Sequence, residues 1–388
     1  TDCRIWSQSM FIVSPLSNGV LPFVLGAGKG CLREVYAMPG GGDGALSARQ
    51  TAIPAPGAGD VRMPSAVRIL VVKLSSLGDV AHAVPAVAAL ALRYPGAEID
   101  WLVEPPGAPF VAGLPWVSEA VVLDARGALA RGARALGSER NRVASRLKAR
   151  RYDLVVDLQG LLRSSLWTLW SGAARRAGRG RWPWLHVKVP MYDRARTPHA
   201  IENTARVVVA LGGSAAEGWS EGQRGLAPLA ERLRARGEAM AEELGLSPGG
   251  YAAGFPMASS EAKSLEPGWL ERWPGPPLVL LGDERLAGHR PGRPGVLNLA
   301  GTLPLLDSLA LALAAGRVVS ADTGPGHLAA LLGAKALSLH GPTPPWRTGL
   351  RGPRASSAGS SCGGCGRKGC SRSRSCLGEA FAAAANAG

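Results

Sequence analysis

No stretch of this 388-residue chain offers the roughly 18 uninterrupted apolar residues that a membrane-spanning helix needs. The nearest approach, 10–26, is broken by Ser14-Pro15 and Ser17-Asn18-Gly19 and lacks the basic flank and cleavage site of a secretory signal. Cysteine is scarce. Of six, Cys3 and Cys31 stand apart, and Cys362, Cys365, Cys370 and Cys376 crowd near the end, which excludes a disulfide framework. Acidic residues number 29 against 44 Lys plus Arg, a net charge of +15. That imbalance calls for an anionic partner: nucleic acid, anionic lipid or a phosphorylated substrate. A helix-turn-helix, an RNA-recognition aromatic motif and a finger pattern are all missing, so a basic nucleic-acid-binding protein is the weaker reading. No Gly-x-Gly-x-x-Gly follows the first apolar run, which disfavours a standard dinucleotide enzyme. The expectation is a cytoplasmic protein.

What is present divides the chain. Hydrophobic residues make up 46%, too many for a wholly disordered polypeptide and enough for two domain cores. Residues 1–65 are rich in Gly, Pro, Ala and Ser, without a sustained period. Such a segment cannot bury enough apolar surface to offset its ordering entropy. It reads as a disordered or spurious extension, with Met63 as the natural start, or else as a regulatory arm. From Val67 the texture becomes α/β. The run 67–74 is nearly all apolar and β-branched, as in a strand buried on both faces. A helix over about 81–94 follows, with Pro85 in its first turn. Further strands are expected at 98–103, 120–123 and 152–158, completing a domain over 66–247. Residues 211–250, with a charged helix near 229–244, read as the connection to a second domain. Strands at 277–281, 296–299, 317–321 and 336–340 define that domain, 248–352. Residues 353–388 remain as a Cys/Arg-rich tail. The alternation predicts two doubly wound parallel sheets with a cleft between them and ligands at the carboxyl ends of the strands.

Two strand-to-helix turns carry polar chemistry. In Leu74-Ser75-Ser76-Leu77-Gly78-Asp79-Val80, small residues permit a sharp turn and Asp79 falls at the end of a strand. There it either faces the cleft as a general base or caps the next helix. In Ser320-Ala321-Asp322-Thr323-Gly324-Pro325-Gly326-His327-Leu328, the amides of Thr323 and Gly324 and the positive end of a helix would favour a phosphate. Between 126 and 151 nine basic residues stand against the single acid Glu139. That belt suits a phosphorylated surface or is a solvated helix face. The tail spacing Cys362-x2-Cys365-x4-Cys370-x5-Cys376 suits a zinc knuckle or belongs to a flexible basic tail.

Read in order, the motifs are more specific. Ile69 through Val87, Ile99-Asp100-Trp101-Leu102-Val103-Glu104, Tyr152 through Ser164 and His199-Ala200-Ile201-Glu202-Asn203 come first. Asp322 through Ala330 and Gly341-Pro342-Thr343-Pro344-Pro345-Trp346-Arg347 follow. Together they resemble the ADP-heptose:lipopolysaccharide heptosyltransferases, glycosyltransferase family 9, over about 67–352. The Ser-Ser-Leu-Gly-Asp form of the first turn is most similar to members that add the first heptose to Kdo on lipid A. Members adding a later heptose are the alternative.

The resemblance implies a GT-B fold and an inverting, metal-independent transfer without a cofactor. It implies Asp79 as the base, with Ser76, Gly78, Gln159 and Arg163 on the acceptor. It implies Ser259 and Lys263 at the donor diphosphate, and Glu284, with Asp283 a rival, at the nucleoside. Asp322, Thr323, Gly324 and His327 would complete the donor site. The implied partners are ADP-heptose, Kdo-lipid A and the cytoplasmic face of a Gram-negative inner membrane, with no nucleic acid. Two departures stand out. Phe255-Pro256-Met257 replaces the usual His-Pro-Gly, and only 269–273 precede Pro274-Gly275-Pro276-Pro277, a shortened helix expected to leave one side of the second sheet poorly covered.

Overall fold

The apolar run at 67–74 becomes β1 (Arg68–Val72), whose side chains from Ile69 onward are fully buried. A computed structural model describes residues 67–190, 199–271, 276–292, 294–360, 364–365 and 375–386. The readings of 1–65, of Trp273 and of Cys362 and Cys370 lie outside these residues.

Around β1 assemble β2 (Glu98–Val103), β3 (Glu119–Val122), β4 (Leu154–Asp157), β5 (Arg175–Arg179) and β6 (Val187–Val189), in the order β3-β2-β1-β4-β5-β6. The second sheet holds β7 (Ala252–Phe255), β8 (Leu278–Leu280), β9 (Val296–Asn298), β10 (Arg317–Ala321), β11 (Ala336–His340) and β12 (Ala355–Gly359), in the order β12-β11-β10-β7-β8-β9. Every pairing is parallel. Numbered from its own first strand, each sheet has the doubly wound order in which direction reverses between the first and fourth strands. Ligands bind at that switch point, outside the carboxyl ends. It lies between β1 and β4 in one sheet and between β7 and β10 in the other.

The helices of the first half are α1 (Leu77–Arg93), α2 (Ala108–Ala112), α3 (Ala125–Ala130), α4 (Ala133–Arg150), α5 (Leu162–Trp170) and α6 (Ala200–Ala210). Helix α7 (Ala215–Glu243) comes next, and α8 (Pro267–Glu271), α9 (Leu305–Ala314), α10 (Gly324–Leu331), α11 (Pro345–Thr348) and α12 (Ser375–Asn386) belong to the second. Helix α1 starts four residues before the expected 81, because Ser76 and Asp79 cap it, and Pro85 therefore sits mid-helix. Its middle is buried without a break from Val80 to Leu90, so packing rather than propensity holds it.

Three local readings change. Strands β5, β6 and β7 were not expected. The segment after 352 is not all tail: β12 pairs with β11, and Leu377 and Ala380 of α12 enter the core of the second sheet. Leu265 and Leu270 share that cluster, so α12 supplies cover on the side where the shortened α8 was expected to leave a gap.

The stretch read as a connection is a 29-residue helix, α7. It fits against α1 at Gly218, where a Cβ would meet Pro85 O at 2.4 Å, and against α9 at Gly237, where a Cβ would meet Ala310 O at 1.9 Å. Arg236 pairs with Asp307 at 2.7 Å and reinforces the second contact.

Candidate functional site

The two halves meet where α1 and α10 begin. A Cβ on Gly324 would lie 2.6 Å from Leu77 Cβ, and one on Gly78 would lie 3.2 Å from His327 Cδ2. Both glycines were expected to touch substrate. Here each permits the close approach of two helix N-termini, which brings the carboxyl ends of β1 and β10 to one cleft.

On the first side, Asp79 is the third residue of α1 and half-exposed toward that cleft. Its Oδ2 accepts from Ser76 N at 3.2 Å and Ser76 Oγ at 3.0 Å, and its Oδ1 lies 3.5 Å from Lys73 Nζ. Asp79 thus caps the helix and presents a carboxylate at the cleft. Burial pushes its pKa up, but Lys73, His82 and the Ser76 hydrogen bonds outweigh this and the net shift is downward. Lys73, only 4% exposed, moves down because burial exceeds the pull of Asp79. Sequence reasoning missed Lys73. The signal was a lysine inside an otherwise apolar strand run.

Gln159 and Arg163 also stand at this end, with prior engagements. Gln159 Oε1 accepts from Leu74 N at 2.8 Å, lacing β1 to β4. Arg163 donates to Glu104 Oε1 at 3.0 Å and to Ser75 Oγ. Asp157 is fully buried and accepts from Gln159 N, Gly160 N and Ser164 Oγ. Burial nonetheless raises its pKa to about 6.

On the second side, Asp322 is the hub. Lys263 Nζ donates to its Oδ2 at 2.7 Å, His327 Nε2 to its Oδ1 at 3.1 Å, and Thr348 Oγ1 to Oδ2 at 3.4 Å. Burial works against its charge, yet His327, His340 and Lys263 together hold it well below the ordinary carboxylate range. Thr323 caps α10 through its hydroxyl, which accepts from Gly326 N at 3.1 Å. Ser259 is exposed on the loop ahead of Lys263. Arg285, another omission of the sequence reading, donates to Ala258 O at 2.7 Å and pins that loop. It also takes Asp283 in a two-point pair, 2.8 and 2.9 Å. Asp283 is thus occupied, whereas the Glu284 side chain is exposed with no hydrogen bond or ion pair among the described residues. Phe255, where the family usually has histidine, is buried at the end of β7.

Three histidines run between the sides. His82 of α1 stacks edge-on with His327 at 4.5 Å and with His199 at 5.7 Å. His199 caps α6 and donates from Nε2 to Gly349 O at 2.9 Å, while its Nδ1 accepts from Ile201 N at 3.3 Å. Burial lowers its pKa to about 4.

A chain of two doubly wound sheets in this order has known counterparts. The chain is 34% identical over 332 residues to lipopolysaccharide heptosyltransferase 1 of Pseudomonas aeruginosa, covering 78% of this chain and 87% of that one. The chain belongs to glycosyltransferase family 9. The model of that family, glycosyltransferase family 9 (heptosyltransferase), matches residues 283–375. This match runs beyond 352, in keeping with β12 being part of the second sheet.

Two solved family 9 folds from Escherichia coli are similar. One is the ADP-heptose lipopolysaccharide heptosyltransferase II, with a TM-score of 0.60 and 22% identity over 76% of this chain and 90% of that one. The other is heptosyltransferase WaaC with ADP-2-deoxy-2-fluoro heptose, with a TM-score of 0.56 and 23% identity over 77% and 95%. They share the two-sheet GT-B architecture. Among the described residues no helix is long and apolar enough to cross a membrane, and no group of three or more metal-ligating side chains is formed.

Proposed function

We propose that this family 9 enzyme transfers heptose from ADP-L-glycero-D-manno-heptose to a Kdo residue of lipid A, the first heptose of the lipopolysaccharide inner core. One observation carries the reading: the Gly78–Gly324 contact sets the Asp79–Lys73 pair and the Asp322–Lys263 pair on facing rims of one cleft. The choice of first heptose rests on the 34% identity to a relative of that name.

In this reading the acceptor hydroxyl oxygen attacks the anomeric carbon while its proton passes to Asp79. The bond to the diphosphate oxygen breaks, and ADP leaves with the electron pair. A single displacement of this kind inverts the anomeric centre. Lys73 keeps Asp79 ionised and ready to accept the proton, because a neighbouring cation favours the carboxylate. Lys263 and the amides at the start of α10 offset the charge growing on the diphosphate, the electrostatic task that dominates such steps. No metal is needed for that charge in this scheme. Glu284, unoccupied by other partners among the described residues, is available to the nucleoside.

The acceptor is a phosphorylated glycolipid, so the enzyme works against the cytoplasmic face of the inner membrane. The exposed residues Arg126, Leu129, Arg131 and Arg134, directly after β3 at the same sheet end as Asp79, give it an apolar and basic edge for that surface. The test is incubation with ADP-heptose and either Kdo-lipid A or its mono-heptosylated product, reading ADP release and product mass. Transfer to Kdo-lipid A alone supports the reading. Transfer only to the heptosylated acceptor would mark a later step.

A further inference from the structure

The scheme above leaves two buried donors unused, both at the carboxyl end of β5. Val72 pairs with Asp157, and Asp157 pairs with Gly178. Extending that register by one residue sets Lys73, Leu158 and Arg179 in one row, and residues in one row of a parallel sheet point to the same face. Two strand spacings, about 10 Å, separate Lys73 from Arg179. Arg179 is partly buried. Its Nε has no hydrogen-bond partner, and its guanidinium makes no ion pair among the described residues.

Trp182, three residues on, is in the same condition: its indole N–H is buried without an acceptor among the described residues. The ring folds back over Gly180, where a Cβ would meet Nε1 at 3.0 Å and where φ is +95°, backbone that glycine readily adopts. It stacks on Trp184 with centroids 5.7 Å apart, and Trp184 is itself fixed by its N–H to Ser165 O and Oγ at 2.9 Å. A stacked aromatic pair thus follows the unpaired guanidinium three residues on in the chain.

A desolvated cation without a partner is costly, and a buried donor without an acceptor nearly as much. Among the described residues neither is relieved. Asp79 and Asp157 act on Arg179 from nearby, but Asp79 is held by Lys73 and Ser76, and Asp157 by three donors of its own. A guanidinium and an indole N–H, both without acceptors among the described residues and at the same sheet end as Asp79, suit a carboxylate, the group in which Kdo, an octulosonic acid, differs from a neutral sugar. We propose that Arg179 and Trp182 form the subsite that binds the carboxylate of the acceptor sugar acid and sets its reacting hydroxyl against Asp79. The proposal rests on the acceptor reading given above and names the residues that would discriminate the acid. A site built around a charged hydrogen-bonding group rejects analogues that lack it far more strongly than an apolar pocket could.

The test uses the full chain, ADP-heptose and two acceptors: Kdo-lipid A and an analogue with its Kdo carboxyl reduced to the alcohol. Arg179→Gln is expected to raise the acceptor KM at least tenfold for the acid. The KM for ADP-heptose and the thermal shift given by ADP should stay unchanged. The reduced acceptor, already poor with the unsubstituted chain, should be insensitive to the change. Trp182→Phe removes only the N–H and should raise the acid KM several-fold, and Arg179→Lys should recover part of the loss. An acid KM within twofold of the unsubstituted value, or an equal rise for both acceptors, overturns the subsite. Should Arg179→Gln lose the ADP shift by misfolding, unchanged acid KM values for both Arg179→Lys and Trp182→Phe overturn it instead. If the unsubstituted chain transfers to neither acceptor, the Kdo reading itself falls, and the subsite with it.

Discussion

His82 and His327 meet edge to face with ring centroids 4.5 Å apart, the first on the helix that carries Asp79, the second bonded to Asp322. The helix that carries Asp79 and the carboxylate of Asp322 are therefore linked through two packed rings. A change on one side of the cleft reaches the other by way of side chains that have little room to move.

Asp79→Asn keeps the shape of the turn and removes the base. Transfer is expected to fall about 10²–10⁴-fold, with ADP affinity by calorimetry unchanged. Transfer at the unsubstituted rate would leave Asp79 as a helix cap only.

Lys73→Met tests how the base is tuned. Lys73 favours the charged form of Asp79, so removing it raises the Asp79 pKa and leaves the carboxyl protonated to a higher pH. The acid limb of the kcat/KM profile should then move to higher pH. A limb that stays in place, or moves down, would disconnect Lys73 from the base.

Lys263→Ala acts on the donor side. It removes the cation nearest Asp322 on the loop pinned by Arg285, so ADP affinity and single-turnover transfer should both weaken. Arg285→Ala, which frees the loop but keeps the lysine, should weaken ADP binding less. Equal ADP affinity in Lys263→Ala and the unsubstituted chain would count against the diphosphate assignment.

Stability should decline in mild acid. His199 and His340 have folded pKa values of about 4 against an ordinary 6.5, both lowered chiefly by burial. Between these values the unfolded chain binds protons that the folded chain refuses, so folding weakens as pH falls from 6.5 toward 4. Asp157 works in the opposite sense: raised by burial to about 6 from 3.8, it takes up its proton first in the folded state. Two histidines against one carboxyl leave a net loss. Urea midpoints at pH 7 and pH 5 measure it, and His340→Asn should flatten the difference. A midpoint that rises toward pH 5 would contradict the balance.

Gly237→Ala places a methyl where Ala310 O stands 1.9 Å away. Helices α7 and α9 must separate, at a cost of about 3 kcal/mol of the kind seen for overpacked interiors. Gly245→Ala, in open space but at φ +72°, should cost less, about 1 kcal/mol. Chemical denaturation distinguishes the two.

The sequence was most legible where burial leaves a pattern. Strands β1, β2, β10 and β11 are central or nearly so, and their apolar runs announce them. Strand β5 reads Arg-Arg-Ala-Gly-Arg and β12 Ala-Ser-Ser-Ala-Gly; neither carries the β-branched alternation by which a strand is recognised. The later half of α7 was legible as the charged helix near 229–244, and its first half, 215–228, was not. Gly218 and Gly237 are small where another helix presses on each. At the cleft, Asp79 and Asp322 were singled out because strand ends are visible in sequence, and Lys263 by the family resemblance. What each is bonded to was not visible. The Lys73–Asp79 pair, the Arg285 pin and the three-histidine stack all join residues by chain folding, and no local spacing encodes them.

Helix α7 has one more consequence. Its first half is keyed into α1 and its second half into α9, so the two sheets are joined by a rod gripped at both ends. Any opening or closing of the cleft that moves α1 against α9 must strain the rod or slip one of the two grips. Pro228 lies between the grips, inside the helix, and a proline there removes one backbone hydrogen bond and favours a bend. The bend that such a motion needs is thereby favoured in one turn of one helix, away from Asp79 and Asp322. A substitution at Pro228 would stiffen the rod between its two grips while leaving the residues at the cleft in place.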